Sequence, residues 1–233
     1  MYNEDDAEVK RVSEAATNPI RKLPYSTPAY SVSDGVTLLE TPEGPMPIEV
    51  FGAHNLNNLA GAKWICQNMG VDEADFYEAI ASFKGASKRL EKIAEGKGRV
   101  AYKDFAHSPS KVAATTKAVK EQYPNRTLVA CLELHTYSSL NAEFLKEYEG
   151  ALEYADEAVV FYSPDAVKIK QLEEVTYEQI AKAFNREDLI IYTNPAEFKQ
   201  YLFNRNLDNS ALLLMSSGNY GGLNFDEVKQ LIE

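Results

Sequence analysis

After Gly98 the sequence alternates between short apolar runs and helical stretches, and this rhythm constrains the fold more than any other feature of the chain. The apolar runs, with β-branched or aromatic residues, are Val100–Phe105, Thr127–Leu134, Glu157–Tyr162, Leu189–Tyr192 and Ala211–Met215. The stretches with helical periodicity are Lys111–Gln122, Ala142–Leu152, Tyr177–Phe184, Pro195–Asn204 and Phe225–Ile232. The alternation predicts an α/β domain of about 135 residues, a Rossmann-like, mostly parallel sheet covered by helices on both faces.

Helices predominate in the sequence before this region. Helical periodicity is found at Glu4–Ala16, Asn55–Asn68 and Asp72–Phe83, and two strand-like runs, Val36–Glu40 and Ile48–Phe51, flank a turn rich in proline and glycine. Residues 1–93 are therefore predicted to form a smaller α+β part, and residues 94–233 the Rossmann-like domain.

Charge and composition argue against several classes of function. The formal net charge is −11, and a diffuse acidic surface lacks the clustered Lys and Arg that bind nucleic acid. No run approaches the roughly 18 apolar residues that cross a bilayer, and the acidic start of the chain is unlike a signal peptide. Two distant cysteines, Cys66 and Cys131, and the lack of a Cys/His cluster indicate a cytoplasmic protein with reduced thiols and no metal site of its own.

A first polar cluster, Phe51-Gly-Ala-His-Asn-Leu-Asn-Asn, follows a strand and opens a helix. Asn55 can cap the free N–H groups of the first turn, which is a structural role. Asn58 lies one turn further on, so both carboxamides can also point at one ligand, and paired carboxamides suit the edge of an adenine. His54 beside them can be a packed histidine or part of such a site.

Two more clusters surround the start of the Rossmann-like domain. The turn around Arg89 concentrates basic residues in an acidic chain, either as a solvated turn or as an anion contact. Asp104 and His107 end the first strand, and Ser108 is the predicted N-cap of the next helix. An acid there can bind ribose hydroxyls, as in dinucleotide folds, or interact with the positive helix terminus.

Two polar loops follow later strands of the predicted sheet. One contains His135 and Ser138, and the other runs from Ser216 to Gly222. Ligands of such sheets bind at the carboxyl ends of the strands, so both loops and Asp104 are expected on one rim. Taken alone, each loop is more typical of an ordinary polar turn.

Together these segments resemble the Mur ligase family, over essentially the whole chain. The matching motifs are F-G-x-H-N-x-x-N-x-x-G-A, G-x-x-x-R-x-E, D-[YF]-A-H-x-P and S-x-G-x-[FY]-G-G. The loop at His135 resembles a fifth motif, H-x-Y-S-R, except at its last position. By this resemblance, the residues that bind ATP are His54, Asn55, Asn58, Arg89, Asp104 and His107. The residues that bind the peptide are His135, Ser138, Ser216, Gly218, Gly221 and Gly222.

The chain departs from the family pattern at several positions, among them Lys88, where the family often has Arg. Lys103 and Ser108 stand where many members have a second acid and a second histidine. Ser139 stands where the pattern has Arg, so one anchor for an anionic substrate is missing.

The resemblance also implies a reaction. ATP phosphorylates the carboxylate of UDP-N-acetylmuramate in the presence of Mg²⁺, and the amine of a peptide attacks the acyl phosphate to form an amide. The loop at Ser216–Gly222 resembles the tripeptide-recycling branch, which implies L-Ala-γ-D-Glu-meso-diaminopimelate as the peptide. The alternatives are a UDP-N-acetylmuramate–L-alanine ligase, a non-catalytic module that binds a nucleotide or muropeptide, and a ligase similar to folylpolyglutamate synthase.

The sequence contains no G-x-x-x-x-G-K-[ST] phosphate loop. By the family pattern, residues 1–93 correspond to the later part of the central ATPase domain and residues 94–233 to the C-terminal domain. The UDP-binding domain and most Mg²⁺ ligands would then precede Met1. We therefore expect an incomplete ligase that has no catalytic residue of its own and does not hydrolyse ATP alone; the oligomeric state is left open.

Overall fold

The computed structural model describes residues 1–173 and 175–233, which form two compact units, Met1–Gly85 and Ala86–Glu233. Each unit has its own buried core. Among the described residues, no helix combines the length and the apolar character needed to cross a bilayer.

Within residues 1–85, the first unit contains a parallel strand pair, a three-stranded antiparallel sheet and three helices. The strands are β1 (Tyr2–Asn3), β2 (Pro24–Tyr25), β3 (Tyr30–Ser33), β4 (Val36–Thr41) and β5 (Gly44–Ile48). The helices are α1 (Ala7–Ala15), α2 (Ala53–Asn68) and α3 (Glu73–Ala81). Buried side chains of β4, β5, α2 and α3 form the core, which contains Leu39, Ile48, Leu56, Leu59 and Phe76.

The second strand of the predicted pair lies earlier than expected. The sequence predicted a strand at Ile48–Phe51, whereas β5 covers Gly44–Ile48 and pairs antiparallel with β4. Pro45 and Pro47 lie within β5, and proline is tolerated there because β5 is an edge strand. Proline counts against a strand in sequence patterns, so this segment was missed.

The second unit is an α/β domain with a six-stranded sheet, as far as its described residues show. The strands are β6 (Glu91–Gly96), β7 (Arg99–Asp104), β8 (Thr127–Glu133), β9 (Glu157–Phe161), β10 (Ile190–Tyr192) and β11 (Ser210–Met215). The helices are α4 (Pro109–Gln122), α5 (Ala142–Leu145), α6 (Pro164–Ile169), α7 (Tyr177–Phe184), α8 (Pro195–Asn204) and α9 (Phe225–Ile232).

The spatial order of the sheet is β10-β9-β8-β11-β7-β6, and every pairing is parallel except that of β6 with β7. The mostly parallel Rossmann-like sheet is therefore confirmed. The antiparallel strand β6 was not predicted, because its charged sequence Glu-Lys-Ile-Ala-Glu-Gly is typical of an exposed edge. The boundary expected at residue 93 falls inside β6, so residues 86–93 lie in the second unit.

The helix predicted at Ala142–Leu152 is much shorter in the structure. It ends at Leu145 and continues as a 3₁₀ turn over Lys146–Tyr148. The ring of Tyr148 is fully buried and stacks on Phe184 with centroids 5.2 Å apart. This packing draws the chain inward, so tertiary contacts override the local helical pattern.

Candidate functional site

The first predicted nucleotide-binding residues lie in the first turns of α2. Gly52 is the N-cap, with a φ of +86°, so Asn55 lies inside the helix and its predicted capping role is wrong. Nδ2 of Asn55 instead donates to the carbonyl oxygen of Phe51 at 3.0 Å. Asn58 is exposed one turn further on, and His54 is half-buried in the same turn. Asn55 and Asn58 lie three residues apart within α2, the spacing at which side chains can be neighbours on a helix surface.

Asn57, between these residues, has a clear structural role. Its Nδ2 lies within hydrogen-bond distance of three oxygens that belong to other segments of the first unit. They are Asn3 Oδ1, Asp5 Oδ2 and Thr27 Oγ1, at 3.2, 3.1 and 3.2 Å. Neighbouring asparagines in one motif therefore face different surroundings, and the exposed Asn58 is more accessible to a ligand than Asn57.

The basic turn around Arg89 is organised by Glu91. Oε2 of Glu91 accepts hydrogen bonds from the N–H of Lys88 at 2.7 Å and from Oγ of Ser87 at 3.0 Å. Oε1 lies 2.9 Å from Nζ of Lys103, so the lysine that departs from the family pattern has a structural partner. Partial desolvation raises the pKa of Glu91, but these hydrogen bonds outweigh it and hold the pKa below its ordinary value. The turn leaves Arg89 exposed.

Asp104 ties this turn to the carboxyl end of β7. Its Oδ2 accepts a hydrogen bond from the N–H of Leu90 at 2.6 Å, and its Oδ1 accepts one from the N–H of Ala106 at 2.6 Å. The N–H of Phe105 also donates to the carbonyl oxygen of Lys88 at 2.7 Å. A carboxylate has about four lone-pair sites, so Asp104 can hold the turn and still accept a ligand hydroxyl.

His107 is held at the N-terminus of α4 by its neighbours. Nδ1 lies 2.8 Å from the carbonyl oxygen of Phe105, so this nitrogen carries a proton and, in the neutral ring, Nε2 is an acceptor. The ring packs edge-on against that of Phe105, with centroids 5.2 Å apart. The hydroxyl of Tyr148 donates to the carbonyl oxygen of His107. Ser108 is the N-cap as predicted, although its side chain makes no capping hydrogen bond.

A buried carboxylate that the sequence reasoning missed, Glu133, lies between the two predicted peptide loops. Glu133 is the last residue of β8, and only 3% of its side chain is exposed. Oε2 accepts hydrogen bonds from Oγ of Ser216 and, at 2.8 Å, from the N–H of Tyr220. Oε1 lies 3.6 Å from Nδ1 of His135. The sequence feature that could have indicated Glu133 is its position at the end of an apolar strand. An acid placed there is buried, and a buried charge requires hydrogen-bond partners.

The loop Ser216–Gly222 is anchored by a buried tyrosine. Tyr220 is 1% exposed, and its ring stacks on Phe198 with centroids 5.0 Å apart. Its hydroxyl lies 2.7 Å from the carbonyl oxygen of Cys131 and 2.9 Å from that of Met215. These contacts stabilise Tyr220 in a backbone conformation, with a φ of +53°, that is unfavourable for a residue other than glycine.

The glycines of this loop shape its backbone. The N–H of Gly218 donates to Oγ of Ser216 at 2.6 Å, and the N–H of Gly222 donates to the carbonyl oxygen of Asn219 at 3.0 Å. A Cβ atom at Gly221, where φ is +70°, would lie 2.5 Å from Cγ of Pro195. Two of the three glycine amides are therefore engaged within the loop. Glycine is required at position 221 because the loop backbone passes close to the side chain of Pro195 there.

The loop that follows β8 is closed on itself. Ser139, at the position of the family's Arg, is 1% exposed, and its Oγ accepts a hydrogen bond from the N–H of Thr136 at 3.0 Å. Oγ of Ser138 is exposed and lies 3.1 Å from Oγ1 of Thr136. The side chain of His135 is 39% exposed. This loop therefore offers His135 and Ser138, but not Ser139, to a ligand.

The strand register brings the loops of the second unit to one rim. Met215, the last residue of β11, pairs with Asp104 of β7 and with Leu132 of β8. The N–H of Ser216 donates to the carbonyl oxygen of Asp104 at 2.9 Å. The prediction that both loops share a rim with Asp104 is confirmed.

The predicted ATP-binding residues divide between the two units. Arg89, Asp104 and His107 lie in the second unit, whereas the three residues of α2 lie in the first. Among residues 1–173 and 175–233, no three His, Cys, Asp or Glu side chains form a group that could hold a metal ion.

Comparison with known proteins identifies the family. Residues 88–218 match the family model described as Mur ligase, glutamate ligase domain. The UDP-N-acetylmuramate–L-alanine ligase of Lactococcus lactis subsp. cremoris is 27% identical over 148 residues, which cover 64% of this chain and 33% of that protein. The ligase of the same name from Microcystis aeruginosa is 31% identical over 185 residues, which cover 76% of this chain and 37% of that protein.

A solved structure supports the fold. The crystal structure of UDP-N-acetylmuramate–alanine ligase from Thermotoga maritima superposes with a TM-score of 0.62 at 17% identity, over 88% of this chain and 44% of that one. The chain spans only 18% and 33% of the length of the first curated relatives it matches. The family model covers more than half of the chain, including the rim of the second unit, so the chain belongs to the Mur ligase family.

Proposed function

We propose that the chain is part of an ATP-dependent amide ligase of peptidoglycan metabolism, which joins L-Ala-γ-D-Glu-meso-diaminopimelate to UDP-N-acetylmuramate through an acyl phosphate. The observation that carries the proposal is the convergence of the Asp104, His135 and Ser216 segments at one rim of the parallel sheet. Ligands of such sheets bind at this edge, next to the point where the strand order reverses.

The nucleotide side of the proposal rests on Arg89, Asp104 and His107. Arg89 is exposed beside a carboxylate whose position is fixed by two backbone N–H groups. A guanidinium can bind phosphate oxygens, and Asp104 and Nε2 of His107 can accept hydrogen bonds from ribose hydroxyls. These donors and acceptors fit a nucleotide, and ATP would supply the phosphoryl group that activates the carboxylate.

By the family resemblance, His54, Asn55 and Asn58 in the first unit are the proposed adenine-binding residues. Asn58 is exposed, and a carboxamide matches both the donor and the acceptor of the adenine edge. Mg²⁺ belongs to the proposal through the family, and we assign none of the described residues to it.

The peptide side rests on the loops at His135 and Ser216. His135 and Ser138 are accessible, and at Gly222 the loop backbone borders open space, since a Cβ atom there would meet nothing within 4 Å. A tripeptide with several carboxylates suits polar loops of this kind better than a single small amino acid does. The loop Ser216–Gly222 also resembles that of the tripeptide branch.

A second candidate is ligation of L-alanine. The two curated relatives described above are both named UDP-N-acetylmuramate–L-alanine ligase, at 27% and 31% identity. A third candidate, a binding module without catalysis, is compatible with a sequence that contains no phosphate loop.

Calorimetric titration of the chain tests the proposal. We expect ADP to bind, and the tripeptide to bind at least about tenfold more tightly than free L-alanine, a difference of about 1.4 kcal/mol. Failure to bind ADP would refute the nucleotide assignment. Comparable or tighter binding of L-alanine would favour the second candidate, a UDP-N-acetylmuramate–L-alanine ligase. The genomic reading frame upstream separates a ligase from a binding module, because an in-frame Gly-Lys-Thr segment supports the ligase.

A further inference from the structure

The two predicted peptide loops meet at one buried carboxylate. Glu133 is 3% exposed, and groups from both loops surround it: Oγ of Ser216, the N–H of Tyr220 and the imidazole of His135. Burial of a carboxylate without hydrogen bonds is costly, so these contacts are a requirement of the fold as well as a link between the loops.

The loop Ser216–Gly222 is wrapped closely around this carboxylate. The N–H of Gly218 donates to Oγ of Ser216 at 2.6 Å, and that hydroxyl donates to Oε2 of Glu133. A Cβ atom at Gly218 would lie 2.9 Å from the same oxygen and 3.0 Å from Cγ of His135. The loop backbone thus packs directly on Glu133 and His135, so the positions of these two side chains and of the loop depend on each other.

The second carboxylate oxygen faces His135. Oε1 lies 3.6 Å from Nδ1, which is longer than a hydrogen bond but close enough for strong electrostatic orientation. A carboxylate on this side favours a proton on Nδ1, so in the neutral ring Nε2 is left as an acceptor. The imidazole is 39% exposed and can reach a ligand.

We propose that Glu133 is a positioning residue for the peptide substrate: it holds the loop Ser216–Gly222 and sets the orientation and the proton position of His135. The identity of the ligand in this inference rests on the proposed function, whereas the contacts of Glu133 with the two loops do not depend on it. It offers a physical reason why binding of the peptide can depend on a residue that is too deeply buried to touch it.

The substitution Glu133→Gln separates charge from shape. The carbonyl oxygen of the amide can replace Oε2 and keep the hydrogen bonds from Ser216 and Tyr220. Its NH₂ group then faces Nδ1 of His135 in place of an acceptor, which favours the tautomer with the proton on Nε2. We expect thermal stability to change little, affinity for the tripeptide to fall about tenfold, and affinity for ADP to stay within about twofold.

Long-range ¹H–¹⁵N NMR of the imidazole rings reports the tautomer without any activity. The chain has only three histidines, His54, His107 and His135, so the variant His135→Asn assigns the signal. Glu187→Gln, at an exposed position far along the chain from both loops, is the matched control and should change neither the tautomer nor the affinities.

If Glu133→Gln folds poorly, Ser216→Ala provides a second test. It removes one donor to Oε2 and should speed hydrogen exchange at the amides of Gly218 and Tyr220 while Glu133 remains in place. An unchanged His135 tautomer in Glu133→Gln, or tripeptide affinity within about twofold of wild type, would overturn the proposal. Unchanged exchange in Ser216→Ala would overturn it as well.

Failure of the proposed function gives a different result. If the wild-type chain binds no tripeptide, the assignment of the ligand is wrong. The tautomer of His135 and the exchange of the loop amides still decide whether Glu133 positions these groups.

Discussion

The backbone N–H of Leu90 donates to Oδ2 of Asp104 at 2.6 Å, so the turn that presents Arg89 is fixed to the end of β7. Leu90 has a φ of +44°, an unfavourable conformation that this hydrogen bond helps to maintain. Asp104 therefore has a structural role in addition to its proposed contact with ribose.

The two roles of Asp104 can be separated by substitution. Asp104→Asn replaces one carboxylate oxygen by an NH₂ group, which cannot accept a backbone hydrogen bond. We expect the affinity for ADP, measured by calorimetry, to fall by about 1–3 kcal/mol, and the melting temperature to decrease. Glu91→Gln is the control, because it loosens the same turn and leaves Asp104 intact. Equal loss of ADP affinity in both variants would contradict a direct ribose contact.

Adjacent asparagines in α2 should respond differently to alanine substitution. Asn57→Ala removes contacts to Asn3, Asp5 and Thr27, so it should lower the stability of the first unit by about 1 kcal/mol or more. Asn58→Ala changes an exposed side chain and should leave stability within about 0.5 kcal/mol. If Asn58 binds adenine, only Asn58→Ala will weaken ADP binding at constant melting temperature. A normal ADP affinity in this variant would count against the adenine contact.

The glycines at the end of the loop test whether its shape matters for the peptide. Gly221→Ala combines a positive φ with a Cβ atom 2.5 Å from Pro195, so the loop must move. Gly222→Ala also has a positive φ, +105°, but its Cβ atom meets nothing within 4 Å. We expect Gly221→Ala to weaken tripeptide binding more than Gly222→Ala does, with ADP affinity close to wild type in both. The opposite order in titrations would show that the contact with Pro195 does not set the shape of the binding surface.

The ion pair of Glu157 and Arg205 should make stability depend on pH. Nη2 of Arg205 donates to Oε2 of Glu157 at 2.6 Å, and this hydrogen bond lowers the pKa of Glu157. A carboxylate with a lowered pKa contributes stability above its ordinary pKa of about 4.5, and this contribution is lost as the pH falls through the lowered pKa of the folded state.

Urea unfolding at several pH values measures this effect. At pH 7 Glu157→Gln should cost about 1–3 kcal/mol, because it leaves a largely buried guanidinium with a weaker partner. The loss should shrink in acid, where the wild-type carboxylate is protonated and therefore as uncharged as the glutamine of the variant. Glu143→Gln, which breaks an exposed pair with Lys146, should cost less than about 1 kcal/mol. A pH-independent loss at Glu157 would indicate a packing effect instead.

Several features of this protein were predictable from local sequence. The parallel strands β8, β9 and β11 are buried in the sheet and consist mainly of apolar residues, while amphipathic stretches separate the strands. The alternation after Gly98 therefore specified the fold class. The position of polar residues after strands β7, β8 and β11 then predicted the shared rim, because parallel strands place their carboxyl ends at one edge. The motifs around His54, Arg89, Asp104 and Ser216 also indicated the family from sequence alone, because each is a short contiguous pattern.

Other features depend on residues that are distant in sequence. The edge strands β5 and β6 are stabilised by their neighbours in the sheets, and their own proline-rich or charged sequences do not favour strands. Tertiary packing of Tyr148 on Phe184 shortened the helix predicted after the second strand.

The role of Glu133 could be recognised only in three dimensions. In the sequence it is one acid among many, 83 residues before Ser216 and 87 before Tyr220, with which it makes hydrogen bonds. Local sequence determines which residues favour strands, helices and turns, whereas the partners of a buried charge are chosen by the strand order that brings β8 beside β11. That order follows from burial of the whole core, so only the tertiary structure decided which side chains meet at the rim.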